Sequence, residues 1–306
     1  MSSTIMAAVL AALSGLSLAV IGVTFRWGQS KNVVPLHIST AIGTFGAIFF
    51  AFKADFSTIG QLPAFIYIIA IANGLGQIVT MVLTKVSLRK GPLSPVWCAM
   101  NLTFLLVTIY SAIVFSESIS VMQYLALAAG IISVIFASSI GAEKSQDQVK
   151  SNTKDKLIYG IMLIFILLGN AIIFVAIKDL GTRVVPGQST TYLGTYMANI
   201  YFIFYVVLAL SNGTVAALQK TKPTSIKHLL GLGSLAGAGS ICGMLLLSLC
   251  AQFPAAIVFT VNGAVIILGG ALASVIFFGE KMTRGWYGTI GFGVLAVILA
   301  NLDKFI

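Results

Sequence analysis

Charge is what this sequence has least of. Eight acidic and 18 basic residues in 306 leave only 8% of positions charged, against about 25% in a soluble domain. A water-soluble globule of this length could not cover its surface with so few charges. That excludes a soluble enzyme, a nucleic-acid module and a disordered chain. Cysteine is scarce as well. Cys98, Cys242 and Cys250 each sit inside an apolar stretch, with no CxxC or Cys/His cluster. A disulfide framework or structural metal site is therefore not expected. No basic residue precedes the first apolar run, MSSTIMAAVLAALSG, so that run reads as a retained first span rather than a secretory signal. Nucleotide-binding motifs are missing, which argues against ATP-driven transport by this chain alone. No cofactor is implied.

What the chain does have is apolar length. Hydrophobic residues make up 58% and mean hydropathy is +1.03. They come in blocks of the ~20 residues that cross ~30 Å of hydrocarbon. Ten spans are predicted, at 4–25, 34–52, 62–84, 93–115, 119–139, 157–177, 190–212, 229–251, 254–278 and 285–302. The sustained polar stretch GAEKSQDQVKSNTKDK, 141–156, holds seven charges and lies near the midpoint. It reads as a solvated linker between two five-helix halves, 1–140 and 157–306. The 30 glycines suit spans that pack closely.

The two halves resemble each other. Residues 113–138 and 276–301 align without a gap at an offset of 163, with eight of 26 positions identical. Phe115/Phe278, Glu117/Glu280, Tyr124/Tyr287 and Gly130/Gly293 are among them. Five spans per half is an odd number, so the second half must enter the membrane upside down, and positive residues should favour opposite loops in the two halves. They do. In all, 14 of the 18 Lys and Arg fall on the face that holds the linker and four on the other. The 14-charge face is expected to be cytoplasmic, with both termini outside. The basic residues are scattered among short loops and read as topological signals, not as nucleic-acid contacts. The expected fold class is an all-α membrane protein, ten transmembrane helices arranged as two inverted five-helix repeats.

These features resemble the drug/metabolite transporter superfamily, specifically its ten-helix EamA-type members. The likeness rests on ten spans in two similar halves and on the Phe-x-Glu that ends an apolar hairpin, FSES at 115–118 and FGEK at 278–281, each followed by a Gly-rich fifth helix. It covers nearly the whole chain and says little about substrate. It implies an inverted-repeat bundle around a central cavity, with the last helix of each half peripheral and available for a homodimer through helices 5 and 10. The termini placed outside by the charge count differ from many members of that superfamily.

No Asp, Glu, Lys or Arg lies in the middle of a predicted span. A buried membrane acid usually marks a proton or cation relay, so tight proton coupling is not expected. His37, two residues after Pro35, is the candidate proton-sensitive group. Candidate ligand-binding residues are polar positions inside spans. Asn73, Gln77, Thr80 and Thr84 share one face of the third span. Amides left facing lipid would cost several kcal/mol, so they must face the bundle, either towards a cavity or as glue between helices. Trp97 and Asn101 lie on the fourth span, Asn170 on the sixth, Tyr196 and Asn199 on the seventh, and Thr260 and Asn262 on the ninth. Asn101 and Asn262 hold similar places in the two halves. The seventh span's tyrosines, Tyr192, Tyr196, Tyr201 and Tyr205, suit packing or an interfacial belt better than a site. Glu117 and Glu280 are expected to cap the helix that follows each. Gly233/Gly237 and Gly239/Gly243 are GxxxG pairs, a sign of close helix contact.

The functional expectation is a secondary carrier of a small polar or amphipathic metabolite in a multi-pass position in a membrane, the plasma membrane if the chain is bacterial. Its partners are that metabolite and the lipid bilayer. The alternatives are a sugar-uptake carrier of the same superfamily and a non-transporting scaffold or receptor.

Overall fold

The computed structural model describes residues 3–90, 96, 99–142, 153–219, 225–279 and 284–302. The described residues are overwhelmingly helical, and their one β feature is an isolated bridge between Val184 and Thr191. Among them, ten helices exceed a single turn: α1 (Ser3–Ser30), α2 (Pro35–Ala51), α3 (Ala64–Lys90), α4 (Thr103–Val114), α5 (Val121–Ala142), α6 (Thr153–Thr182), α7 (Tyr192–Leu218), α8 (Ile226–Cys250), α9 (Ala255–Phe278) and α10 (Arg284–Leu302). A one-turn helix, Phe56–Ile59, bridges α2 and α3. Six helices, α1, α3, α6, α7, α8 and α9, are long and apolar enough to cross a membrane, and the other four carry shorter apolar stretches. The 17 residues of α2 rise about 26 Å, near the thickness of a hydrocarbon core.

Burial confirms which solvent the surface meets. On α3, Ile68, Ile71, Leu75 and Val79 are exposed, while Asn73, Thr80 and Thr84 are buried. Spacings of three and four place the first set on one face and the second on the opposite face. Apolar side chains out and polar side chains in is the reverse of a soluble helix. The chain is an all-α integral membrane protein.

Local signals set the helix ends. Pro35 opens α2 behind the extended residue Val34, where its missing N–H costs nothing. The Thr191 side chain accepts from Gly194 N at 3.1 Å and caps α7. Asp55 caps the one-turn helix through Ser57 N at 3.0 Å. The Ser57 hydroxyl and amide hold the Asp55 carboxyl below the usual carboxylate range. After α4 and α9 the chain turns through left-handed residues, Ser116 (φ 53) and Gly279 (φ 60). The x of each Phe-x-Glu is therefore a helix-stop position of the kind glycine favours.

Several boundaries differ from the sequence reading: α1, α3 and α7 continue past the expected ends at 25, 84 and 212 to Ser30, Lys90 and Leu218. The sixth span was expected to end at 177, yet α6 runs through Lys178 and Asp179 to Thr182. Both charges are buried and partnered, so they do not terminate the helix. In the fourth span, residues 99–101 are helical but a turn at Leu102 (φ −72, ψ 0) separates them from α4. Trp97, Glu280 and linker residues 143–152 lie outside the described residues.

The helices pair in a regular way. α1 packs on α8 and α9, and α6 packs on α3 and α4. α2 lies along α7, α5 along α10, and α4 meets α9. Small residues permit the closest crossings. A Cβ on Gly76 would come within 2.6 Å of Gly169 O, and one on Gly169 within 2.5 Å of Gly76 O. Backbone thus meets backbone where α3 crosses α6. The GxxxG pairs of α8 serve two partners: Gly233 and Gly237 face Ala41 and Phe45 of α2, whereas Gly239 and Gly243 face Ser17, Val20, Leu18 and Ser14 of α1.

Candidate functional site

A cavity of about 150 Å³ lies in the middle of the bundle, bounded by α1, α2, α3, α6, α7, α8 and α9 and by residues 100–101 ahead of α4. Its neutral polar groups are Ser39, Asn73, Gln77, Asn101, Asn170 and Ser240. Its rings are Phe25, Phe174, Tyr201, Phe204 and Tyr205. A smaller void of about 30 Å³ adjoins it, sharing Met100, Asn101, Asn170, Phe174 and Ile266 and reaching Thr103 and Asn262.

The amide wall follows from the glycine crossing. Gly76 and Gly169 hold α3 and α6 in backbone contact, and the next residue on each helix is an amide. Gln77 Nε2 donates to Asn170 Oδ1 at 3.4 Å, and Asn170 Nδ2 donates to Met100 O at 2.8 Å. One turn before Gln77, Asn73 is only 4% exposed, and its Oδ1 finds no donor among the described residues. A buried carbonyl oxygen without a donor costs about 1–3 kcal/mol.

The ring wall is braced from behind. Tyr205 shares its hydroxyl hydrogen bond with Ser240 Oγ at 2.8 Å. The Tyr201 hydroxyl is bonded to Ser248 Oγ and donates to Met244 O at 3.2 Å. Phe50 stacks on Tyr205 with centroids 5.7 Å apart and planes at 14°, and lies 5.2 Å from the Tyr201 ring. Gly46 leaves room for this: a Cβ there would sit 2.3 Å from Tyr205 Cδ1. With both hydroxyls committed to α8, the tyrosines offer the cavity ring surface.

Asn73, Gln77, Asn101 and Asn170 are thus brought together around one cavity. The other sequence candidates have different placements. Asn262 borders the small void, but its Nδ2 donates to Ala11 O at 3.2 Å and Ser14 Oγ at 2.9 Å, joining α9 to α1. Asn199 grips the loop after α2: its Oδ1 accepts from Asp55 N at 2.8 Å, and its Nδ2 donates to Asp55 O at 3.1 Å and Thr58 Oγ1 at 2.7 Å. Tyr196 sits at a kink in α7 (φ −120, ψ 23) and is not in the cavity lining. Thr260 is fully buried outside the lining. His37 is half-buried at the start of α2, also outside the lining.

Sequence reasoning passed over Tyr201, Tyr205, Ser39 and Ser240. The available signal was the i, i+4 spacing of the two tyrosines, which places them on one face with Leu208. It also expected Glu117 to cap the following helix, and that expectation is corrected here. Glu117 Oε1 pairs with Lys178 Nζ at 2.5 Å, and Oε2 accepts from Ala255 N at 2.8 Å, capping α9 rather than α5. Lys178, fully buried, also donates to Ala251 O and Phe253 O at the end of α8. Beside it, Asp179 accepts from Tyr110 and from Arg183 Nε at 2.7 Å. No group of three or more metal-ligating side chains occurs among the described residues.

No family model matches the sequence, and no curated protein does either. Solved structures do share the fold. One, described only as "Crystal structure of protein", superposes with a TM-score of 0.73 over 96% of this chain and 96% of its own length, at 13% identity. At that identity the likeness concerns the fold alone.

Proposed function

We propose that the chain is a secondary carrier that moves a small polar or amphipathic metabolite across a membrane by alternating access, without tight proton coupling. The observation that carries this reading is the cavity itself. It is a partly polar chamber at mid-bundle, walled by helices from both halves of the chain, in a protein whose outer face is apolar. Midplane sites between repeats are how such carriers hold solute.

The inverted-repeat arrangement is part of the proposal, and the helix pairing supports it. Adding five to each helix number turns the α1–α8 and α1–α9 contacts into α6–α3 and α6–α4. It leaves α2–α7, α5–α10 and α4–α9 unchanged. The Phe-x-Glu ends agree in detail. Phe115 lies under Lys178 and Arg183, each 5.9 Å from its ring, and Phe278 lies under Arg26 at 4.9 Å. Their x residues share the left-handed conformation. These features support ten transmembrane helices and membership of the drug/metabolite transporter superfamily. Within one chain α5 and α10 cover each other, so a homodimer would have to use their outer faces, where Tyr124, Ile135, Tyr287 and Ile298 are exposed.

The test is a thermal-shift screen of purified protein against amino acids, sugars, nucleobases and quaternary amines, since a ligand stabilises the fold by an amount that grows logarithmically with its concentration over its dissociation constant. Hits are then carried into proteoliposomes as labelled solutes. Saturable uptake that is blocked by excess unlabelled solute is the expected result. Binding without any flux would instead mark a receptor.

A further inference from the structure

The cavity lies unevenly between the two ends of the bundle. On α1 its lining runs from Leu18 to Phe25, so it begins about 22 Å of helix after Ser3 and ends about 8 Å before Ser30. On α2 it reaches Ser39, one turn after the opening proline. Towards the start of α1 the bundle is packed instead: Ala7, Ala11 and Ser14 are at most 1% exposed. α1 runs antiparallel to α8, with Ser14 against Gly243 and Ser17 against Gly239. The packed end is therefore the one where α8 stops and turns into α9.

Two layers separate the cavity from that end. The inner layer is aromatic. Phe174 lines the cavity, Phe259 lines the small void beside it, and their rings meet edge to face with centroids 6.4 Å apart. The outer layer is ionic. Lys178 is one turn further along α6 than Phe174, and Ala255 is one turn nearer the start of α9 than Phe259. Glu117 joins the two, with Oε1 on Lys178 Nζ at 2.5 Å and Oε2 on Ala255 N at 2.8 Å. Each layer thus ties α6 to α9, and the ionic one brings in the first half of the chain. The Glu117 side chain is 21% exposed and that of Lys178 0%, so water reaches the pair from the end of the bundle and stops there. Tyr110 on Asp179 and Asn199 on Asp55 also join the halves at this end.

A buried ion pair gains little net stability, because the attraction only about offsets the lost hydration. It is a poor permanent weld and a good reversible contact, since separation returns water to both ions. We propose that Glu117 and Lys178 are the latch of a gate, with Phe174 and Phe259 as its plug, that closes the cavity at this end and opens when the pair separates. The inference rests on the carrier reading above, which requires each end of the chamber to open in turn.

Cysteine reporters in a cysteine-free background of the full-length protein test it. Ile266→Cys lines the cavity. Gln252→Cys, exposed in the α8–α9 turn, identifies the membrane face that the gate closes, because an impermeant maleimide reaches it from that face alone. From that face the Ile266→Cys thiol should react slowly while Glu117 and Lys178 are paired. Glu117→Gln should raise its rate at least about tenfold, because the ammonium then replaces its lost countercharge only with water. Lys178→Met, which strands a carboxylate already in reach of water, should raise it by less. Glu117→Gln/Lys178→Met, with no ion left to hydrate, should react at the parental rate or below. Ala296→Cys, fully buried where α5, α9 and α10 meet, should stay unreactive in every variant. An unchanged Ile266→Cys rate in both single variants refutes the gate. So does an equal gain at Ala296→Cys, which marks a general loosening of the fold. If labelling follows the expected pattern while proteoliposomes take up no solute, the gate stands and the carrier reading falls. Saturable uptake with labelling unmoved by either single variant keeps the carrier reading and removes the gate.

Discussion

The ion pair between Glu117 and Lys178 is where the structure makes its most quantitative demand. Lys178 Nζ is fully buried and is held by one carboxylate oxygen and two backbone carbonyls. Those carbonyls, Ala251 O and Phe253 O, lie where α8 ends, and the carboxylate's other oxygen takes the first amide of α9. A cation thus sits at a helix C-terminus and an anion at the next N-terminus, each the favourable sign for the local dipole. Glu117→Gln keeps an oxygen for Ala255 N but leaves the ammonium without its countercharge. Breaking a buried pair from one side costs about 3–5 kcal/mol. At roughly 2–4 °C per kcal/mol for a chain of this class, the melting temperature should fall by about 6 °C or more. Lys178→Met alone should also destabilise, by stranding the carboxylate and two carbonyls. The double variant Glu117→Gln/Lys178→Met should recover much of the loss, giving a coupling of at least about 1.5 kcal/mol in a double-mutant cycle. Thermal unfolding of the four proteins in one detergent measures it. Losses that add to within about 0.5 kcal/mol would mean that the two side chains do not depend on each other, and the clamp described here would be wrong.

Four further outcomes are expected. Ser116 holds φ 53 with a Cβ, so Ser116→Gly should stabilise by about 0.5–1 kcal/mol net, the left-handed penalty of about 1–2 being partly offset by a freer unfolded chain; a lower melting temperature would contradict the assigned conformation. Gly169→Ala forces a Cβ against Gly76 O and should destabilise by about 1–3 kcal/mol, and because it spreads the Gln77/Asn170 wall it should also weaken any cavity ligand, in contrast to Gly231→Ala, which meets nothing. Asn199→Ala releases Asp55 and Thr58 and should cost about 1–3 kcal/mol, with faster amide hydrogen exchange at 55–59 and unchanged ligand affinity. In a cysteine-free background, a cysteine placed in the linker should resist an impermeant reagent in intact cells while one at the C-terminus reacts, following the 14-to-4 division of basic residues; the opposite pattern reverses the topology.

The membrane is why part of the site could be read in advance. In water a polar residue on a helix usually faces out and carries no information. In lipid it must face in, so Asn73, Gln77 and Thr80 on one stripe of α3 already located an inner wall, and Asn73 and Thr80 are indeed buried. Asn170 was legible for the same reason. The ring wall was not, because tyrosine serves equally at a headgroup belt and in a bundle core. What decides between them for Tyr201 and Tyr205 is the presence of Ser248 and Ser240 on α8, 47 and 35 residues away. The Glu117 cap was misassigned for a related reason. Local sequence offered the next helix, and the structure uses a helix start 138 residues on.

Inward orientation, however, does not say what a polar group meets there. Asn73, Asn199 and Asn262 are all buried amides, and the sequence treats them alike. Asn262 faces α1 at a point where Gly15 lets the backbones close to a distance at which a Cβ would sit 2.7 Å from Asn262 O. No room for solute remains, and the amide bonds Ala11 and Ser14 instead. Asn199 faces a loop whose amide and carbonyl need partners at the bundle end, and it supplies both. Asn73 faces a chamber, because α3 meets α6 at Gly76 and Gly169, and the ring pair on α7 is held back by Phe50 and α8. The distinction between glue and site is therefore made by neighbouring small residues and by which helix lies across. For that reason Asn262→Ala should lower the melting temperature and spare affinity.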